Sequence, residues 1–209
     1  EQSMLLKVID LESGDAEGVY KDIGLDVRQY KKLKMEVHAE AIDGYPLDDY
    51  EMSLFIRMGT GIDNYYEYEI PLKLTPVPTT SYNPELESDK YIVWPDENRV
   101  NINLTLFSDV KMKRDDEMRK AGSTLTRNDL FEDLHTGYAG GKNIVRIKGN
   151  PSLGEVDVIY IGIKNPKQKN QGPRSVEVWV NELRLSDFDE RGGWASNGRM
   201  SLRLADIGN

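Results

Sequence analysis

The sequence contains no cysteine and only two histidines, His38 and His135. Without thiols it has no disulfide framework, no thiol nucleophile and no zinc–thiolate site. No apolar run approaches the roughly 18 residues that a transmembrane helix needs. The chain carries 27 Lys and Arg against 36 Asp and Glu, for a formal net charge of −9. Because this acidic chain has no basic cluster, it is poorly suited to bind nucleic acid or an anionic membrane surface.

The length of the chain bounds its organisation. A chain of 209 residues suits one large domain or two small ones, with room for a sizeable core. Its mean hydropathy of −0.59 is polar for a globular domain. The sequence begins Glu1-Gln2-Ser3, with no initiator Met, no signal peptide and no tag, so we expect it to be a piece of a longer protein.

Apolar and polar residues alternate along most of the sequence, which places apolar side chains on one face of a β-strand. Leu33, Met35 and Val37, for example, alternate with charged residues and a histidine. This pattern is typical of antiparallel sheets with one solvated face. About eight strands are predicted, at residues 4–9, 33–40, 52–58, 66–74, 100–106, 143–148, 156–164 and 175–185. Residues 156–161 are apolar on both faces and predict the central strand.

Turn and loop signals separate these strands. Asp43-Gly44-Tyr45-Pro46 predicts a turn, because glycine supplies a positive φ and proline ends the pairing. Residues 76–90 are rich in Pro and Ser and predict a long loop that does not pack. Residues 165–173 form the only locally basic stretch and predict a solvated connector.

One region lacks the period of two. Thr126-Arg127-Asn128-Asp129 resembles a capping box with Asp in place of Glu. Leu130, Phe131 and Leu134 follow at helical spacing, and Gly137 stands where a helix would end. We therefore predict one or two short helices inserted at about residues 112–138.

Long runs of strands with a small helical insertion predict an all-β fold, an antiparallel β-sandwich of the jelly-roll kind that galactose-binding and carbohydrate modules share. A flat meander or a barrel is the alternative. The predicted sandwich domain covers residues 1–187. Residues 188–209 are predicted to be a connector and a strand that lead toward the next domain or barrel.

The search for catalytic chemistry identifies no catalytic residue. A serine nucleophile needs an oriented base, and the sequence has no Gly-x-Ser-x-Gly elbow. His38 is predicted on the polar face of a strand and His135 near a helix end. A glycosidase would need two acids flanking a cleft. Glu67 with Glu69, and Asp187 with Asp189, are instead interpreted as exposed strand and turn acids.

The acidic segment 10–15 is the one candidate for a metal. It places oxygen ligands at alternate positions around Gly14, as Ca²⁺ prefers, but it lacks the spacing of an EF-hand. A structural calcium between the first and last strands would recruit Glu182 or Asp187. The alternative is an ordinary acidic turn. No other cofactor is predicted.

Aromatic residues suggest a binding surface. Tyr65, Trp94 and Trp179 could stack on a sugar or a peptide, whereas Tyr66 and Tyr68 share a strand face with apolar residues and are predicted to be core. The sequence thus keeps open a carbohydrate-binding β-sandwich module. The glycosylation sequon Asn103-Leu104-Thr105 is predicted to lie inside a strand and to be accidental.

The C-terminal residues differ from the rest. Residues 199–205 alternate again, with Trp194 just upstream. Such a segment is a further soluble strand or the first strand of an outer-membrane barrel with an aromatic residue near the interface.

Several stretches resemble the SprA/Sov family of cell-surface proteins. The strongest runs lie near the C-terminus, and together the runs span most of the chain. They are residues 33–40 (LKMEVHAE), 55–59 (FIRMG), 64–72 (NYYEYEIPL), 178–188 (VWVNELRLSDF), 193–195 (GWA) and 200–206 (MSLRLAD). Residues 76–90 and 114–137 show no clear match.

The resemblance implies a soluble jelly-roll-like fragment of a giant outer-membrane β-barrel, the translocon of the type IX secretion system, which is also tied to gliding motility. It implies a non-enzymatic domain at the outer membrane or cell surface. Its partners would be the rest of the translocon barrel, accessory proteins and secreted cargo in transit. No nucleic acid is expected, and contact with the membrane would come only through the parent barrel.

Overall fold

The computed structural model describes residues 3–76, 81–83, 85–136, 142–167, 172–188 and 200–201. Most of these residues lie in antiparallel strands, and two helices and one 3₁₀ turn, Asp96–Asn98, complete the secondary structure. The elements are β1 (Ser3–Leu11), β2 (Ala16–Leu25), β3 (Tyr30–Ala41), β4 (Ser53–Gly61), β5 (Asn64–Pro71), α1 (Glu87–Val93), β6 (Val100–Asn103), α2 (Thr105–Arg119), β7 (Phe131–Thr136), β8 (Lys142–Lys148), β9 (Val156–Lys164), β10 (Arg174–Phe188) and β11 (Met200–Ser201).

The strands form two antiparallel sheets that face each other. The five-stranded sheet has the order β1-β10-β3-β6, and β11 also pairs with β10. The six-stranded sheet has the order β2-β9-β4-β5-β8-β7. This arrangement confirms the predicted antiparallel β-sandwich.

The core lies between the inward faces of the two sheets, and the alternation predicts it well. Leu33, Met35 and Val37 of β3 are at most 1% exposed, and Tyr68 and Ile70 of β5 are at most 2% exposed. Full burial of each large aliphatic side chain stabilises the fold by about 1.5–3 kcal/mol. The period of two therefore sets which face of each strand packs inward.

The strand predictions need three corrections. β9 is an interior strand between β2 and β4, but it lies second from the edge rather than at the centre. β2 and β7 were not predicted. Both are edge strands. β2 is exposed or only partly buried along its length, so its sequence alternates weakly.

Among the described residues, the predicted helical insertion at residues 112–138 is correct only for residues 112–119, where α2 continues. The helix α2 begins at Thr105 and buries Phe107, Val110 and Arg114, while Phe131 starts strand β7. The backbone N–H and hydroxyl of Thr126 do donate to Asp129, each at 2.8 Å, but they close an isolated turn. Pairing with β8 decides the strand, because tertiary contacts override local helical spacing.

Two predicted loops also differ from the structure. Within residues 76–90 the chain enters α1 at Glu87. The predicted strand 100–106 ends at Asn103, so the sequon begins on the last residue of β6 and ends on the first residue of α2, Thr105. Asn165, predicted to be solvated, is fully buried and donates from Nδ2 to the carbonyl of Leu11 at 2.8 Å. This bond joins the end of β9 to the end of β1.

The C-terminal segment is described only in part. Met200 and Ser201 pair with Leu185 and Arg184 of β10. Residues 189–199 and 202–209, with Trp194 and most of the alternating segment 199–205, lie outside the described residues. The predicted domain boundary at residue 187 stays a prediction.

Candidate functional site

A row of polar and aromatic side chains crosses the outer face of the six-stranded sheet. One residue from each strand stands opposite the next in register, so the row runs perpendicular to the strands. We call it the transverse row, and its members in spatial order are Tyr20, Tyr160, Arg57, Glu67, Arg146 and Glu132. Opposing side chains in antiparallel strands lie within reach of each other, which lets the row interact along its whole length.

Arg57 stands in the middle of the row, between rings and a carboxylate. Its guanidinium carbon lies 4.1 Å from the ring centroid of Tyr65, 5.1 Å from that of Phe55 and 5.7 Å from that of Tyr160. Its Nε and Nη2 donate to Oε2 of Glu67 at 2.9 and 2.5 Å. Cation–π contacts and a charge-assisted hydrogen bond therefore fix the guanidinium.

Arg146 follows Glu67 in the transverse row and contacts three carboxylates. Its Nη1 donates to Glu67 at 2.8 Å and also to Glu69, and its Nε donates to Glu132 at 3.1 Å. Lys164 reaches Glu69 from β9 at 3.1 Å. Three cations, Arg57, Arg146 and Lys164, thus face three carboxylates, so the network is electrically balanced.

Burial makes this network strong. Glu67, Glu69 and Arg146 are at most 6% exposed, although they lie on the outer face of the sheet. Burial alone would raise the pKa of Glu69, but the attraction and hydrogen bonds of Arg146 and Lys164 outweigh it and lower that pKa. Burial would lower the pKa of Arg146, and Glu69 and Glu67 reverse this and raise it. Glu69 and Arg146 are therefore held in their charged forms.

The prediction that Glu67 and Glu69 are exposed acids is wrong. Both are buried and both are engaged by Arg146. Sequence reasoning also missed Arg57 and Arg146. A charged residue between apolar neighbours on a strand, as in Ile56-Arg57-Met58, was the available signal, but only the register reveals its partner.

The aromatic end of the transverse row borders a groove of about 370 Å³. Its walls come from β2, β4, β5 and β9 and from the turn after β4. The lining side chains are Tyr20, Arg57, Ile62, Tyr65, Val158 and Tyr160. Tyr65 faces this outer surface, as predicted, but Arg57 covers it and leaves it 7% exposed. Burial raises the pKa of Tyr65 and of Tyr160, which keeps both phenols neutral.

The outer face of the five-stranded sheet holds the other predicted aromatic residues. The ring centroid of His38 lies 5.6 Å from that of Trp94 and 5.0 Å from that of Trp179. Leu5, directly opposite Trp179 on β1, is 48% exposed, and Ile9 on the same strand is 53% exposed. Tyr65 and the two tryptophans therefore lie on opposite outer faces and do not form one platform.

The prediction that His38 is exposed on the polar face of a strand is wrong. It is 6% exposed, with Nδ1 2.6 Å from the carbonyl of Val93 and Nε2 2.8 Å from Glu40. Thr75 Oγ1 lies 3.0 Å from the same Nδ1. These contacts attach the end of α1 to the five-stranded sheet, so His38 has a structural position.

His135 is in strand β7 rather than near the end of a helix. Its Nδ1 lies 3.2 Å from the hydroxyl of Tyr68, which also accepts a hydrogen bond from Asn143 at 2.7 Å. The two histidines are therefore on different sheets and do not share a site.

The comparisons with known proteins bear on the whole chain. The model of the motility related/secretion protein family, SprA_N, matches residues 1–209. The chain belongs to this family. The search of curated proteins found no match. Family membership confirms the resemblance to SprA/Sov proteins and shows a role related to motility and secretion.

The residues predicted to bind calcium, segment 10–15 with Glu182 or Asp187, do not lie close together. Leu11, at the end of β1 beside the acidic turn, pairs with Arg174 at the start of β10, whereas Glu182 lies eight residues further along the same strand. At about 3.3 Å per residue they are separated by roughly 26 Å. The grouping of the turn with Glu182 or Asp187 is therefore wrong. Within the described ranges no three His, Asp or Glu side chains are grouped to hold a metal.

Asp187 is exposed, as predicted, and pairs with Lys32 at 3.2 Å, while Asp189 lies outside the described residues. Neither helix in the part of the chain that the structure describes has the length and apolar character to cross a membrane.

Proposed function

We propose that this chain is a non-catalytic structural and interaction domain of the outer-membrane translocon of the type IX secretion system. In this role it supports protein export and gliding motility. The observation that carries the proposal is the match of the motility related/secretion family over residues 1–209. The proposed location is the outer membrane and cell surface.

The outer face of the six-stranded sheet supports a rigid scaffold. Its charged groups Glu67, Glu69 and Arg146 satisfy one another within the sheet instead of facing a reacting group. A fully paired buried network favours one fixed arrangement of strands, because a shift in register would separate buried charges from their partners. Such a scaffold holds its surfaces in constant geometry.

The outer face of the five-stranded sheet supports an interaction surface. We call Leu5, Ile9 and Trp179 the β1 patch; Leu5 stands opposite Trp179, and both Leu5 and Ile9 are about half exposed. Exposed apolar groups on a sheet face gain free energy when a partner covers them. The proposed partner is the rest of the translocon barrel or one of its accessory proteins.

The charge of the chain fits a conduit for folded cargo. A formal net charge of −9 leaves an acidic surface, and like charges repel acidic cargo and reduce non-specific adhesion. Secreted proteins in transit are thus expected to pass this domain without stable binding.

Deletion of the domain from the full-length protein tests the proposal. We expect cargo to disappear from the medium and spreading on agar to stop, while the shortened protein is still detected by immunoblot. Unchanged export and spreading would refute the proposal.

Point variants in the β1 patch separate the interaction from folding. The double change Leu5→Lys and Ile9→Lys should reduce export and the recovery of translocon partners by affinity purification. Leu134→Lys is the matched control, because Leu134 is 68% exposed on the other sheet. Equal export in both variants would show that the β1 patch is not an interface.

A further inference from the structure

We propose that the groove beside Arg57 binds a short neutral carbohydrate. We call this groove the Arg57 groove, and it is lined by the six residues already named and borders the aromatic end of the transverse row. This inference does not depend on the proposed function, because glycan binding and cargo export are measured separately.

Several hydrogen-bonding groups that line the Arg57 groove are unused. The hydroxyls of Tyr20, Tyr65 and Tyr160 and the Nη1 of Arg57 have no hydrogen-bond partner in the described residues. All four residues line the same groove. A ligand rich in hydroxyl groups can both donate to and accept from phenols, and it can accept from a guanidinium.

The two buried core tyrosines, by contrast, have partners for their phenols. The hydroxyl of Tyr66 donates to the carbonyl of Pro151 at 3.0 Å, and that of Tyr68 accepts from Asn143 at 2.7 Å. Tyr65 is buried like Tyr66 and Tyr68 but differs from them in that its phenol has no partner among the described residues. Phenols that line one groove without internal partners are suited to an external ligand.

The Arg57 groove also has apolar and aromatic walls. Tyr20 is 60% exposed, and Ile62, at the tip of the turn after β4, is 83% exposed. A pyranose ring presents a face of C–H groups that packs on an aromatic ring, while its hydroxyls point to the sides. A groove with both aromatic faces and unused polar groups therefore matches a sugar better than it matches a purely apolar segment.

The charged side chains around the Arg57 groove are paired with one another. Glu67 neutralises Arg57 through two hydrogen bonds, and Lys148 beside Tyr65 is paired with Asp63 at 2.6 Å. The charged groups around the groove are thus balanced, and an ionic ligand would gain no net attraction. This selects a neutral saccharide over an acidic one.

The position of the groove argues against a peptide that adds a strand. β4 and β9 each pair with a strand on both sides, so their backbone groups are already used. A peptide strand needs the free backbone groups of a sheet edge. The volume of about 370 Å³ lies at the lower end of ligand pockets, which range over about 300–1,000 Å³, and suits a short terminal saccharide.

The test is an array of neutral and acidic oligosaccharides probed with the 209-residue chain, followed by calorimetric titration of the neutral oligosaccharide that gives the strongest signal. We expect Tyr20→Ala to weaken its affinity roughly tenfold through loss of the ring contact. Tyr160→Phe, which keeps the ring and removes only the hydroxyl, should weaken it by a smaller factor. Tyr91→Ala is the matched control, because Tyr91 is 54% exposed on α1. It should leave the affinity within about twofold of the unchanged chain.

Several outcomes would overturn the inference. Silence of every neutral glycan, a preference for acidic glycans, or equal affinity for Tyr20→Ala and Tyr91→Ala would each do so. A second experiment places a photo-crosslinking amino acid at residue 20 of the full-length protein and asks whether another protein is captured there. Efficient capture of another protein there, with no glycan binding, would show that the Arg57 groove is a protein interface instead. Circular dichroism and urea midpoints equal to those of the unchanged chain confirm that the variants fold.

Discussion

Arg146→Met gives the sharpest test of the buried ion network. The substitution keeps the length and apolar stem of the side chain but removes the charge that faces Glu67 and Glu69. Arg146 has 7% of its side chain exposed, and the two carboxylates have 4% and 2%. Removal of one partner from a buried pair costs about 3–5 kcal/mol, and here it leaves the two dehydrated carboxylates with only the partly exposed Arg57 and Lys164 as counter-ions. We expect a loss of that size in the free energy of unfolding at pH 7.

The pH dependence of this loss identifies its cause. The pKa of Glu69 is lowered in the folded protein, so its contribution to stability is present above the ordinary glutamate pKa near 4.5 and disappears as the pH falls through the lowered value. Without Arg146, only Lys164 opposes the effect of burial, so the pKa of Glu69 is higher than in the unchanged chain and Glu69 takes up a proton in the folded variant at a higher pH. The difference between Arg146→Met and the unchanged chain should therefore shrink from pH 7 to pH 4.

The assay is urea unfolding followed by circular dichroism at both pH values, with the slope m compared to confirm the same transition. Arg119→Met is the matched control, since Arg119 and Asp116 form an exposed pair with 74% and 69% of their side chains accessible. It should change the free energy of unfolding by about 0.5 kcal/mol or less. Adding Glu69→Gln to Arg146→Met should recover part of the loss. A loss below about 1 kcal/mol, or one that does not vary with pH, would refute the reasoning.

Two further predictions concern packing and a buried phenol. Gly162→Ala would bring its new Cβ within 2.6 Å of the Phe55 ring, so we expect a loss of about 1–3 kcal/mol in urea unfolding. Gly172→Ala meets no atom within 4 Å and is the control; equal stability of the two variants would contradict the packing argument. Burial raises the pKa of Tyr66 to about 12, so it ionises after an ordinary tyrosine, and the stability it contributes is lost as the pH rises from about 10 to 12. Tyr66→Phe should remove the late phase of the absorbance titration at alkaline pH, and persistence of that phase would assign it to another tyrosine.

The strands that bury one face were predictable, because one face contacts the core and the other contacts solvent, and apolar and polar residues therefore alternate along the strand. Leu33, Met35 and Val37 alternate with polar residues, and this period alone fixes the inward face of β3. The same reasoning fails for β7, where Leu134 belongs to a pattern with helical spacing but is 68% exposed. The pairing of Leu134 with Ile144 of β8 determines the structure there, and no local pattern encodes that distant partner.

The candidate site was predicted only in fragments. Tyr65 was assigned to an outer face and a binding role from its sequence position, and its orientation is confirmed. Arg57 and Glu67 come from the consecutive strands β4 and β5, but Arg146 comes from β8, which is 79 residues from Glu67 and was not predictable as its partner. Trp94 and Trp179 were grouped with Tyr65 by residue type, and the two-sheet topology separates them.

The sequence by itself determined the two-layer β architecture, the inward faces of the principal strands and the family, since hydrophobic periodicity and residue identity are properties of contiguous segments. Tertiary structure alone decided which charges are neutralised and which rings share a surface. Those outcomes depend on register, because opposing residues in antiparallel strands need not be close in the chain. The buried pairs of Arg146 and the polar groups of the Arg57 groove therefore exist only once six strands are aligned.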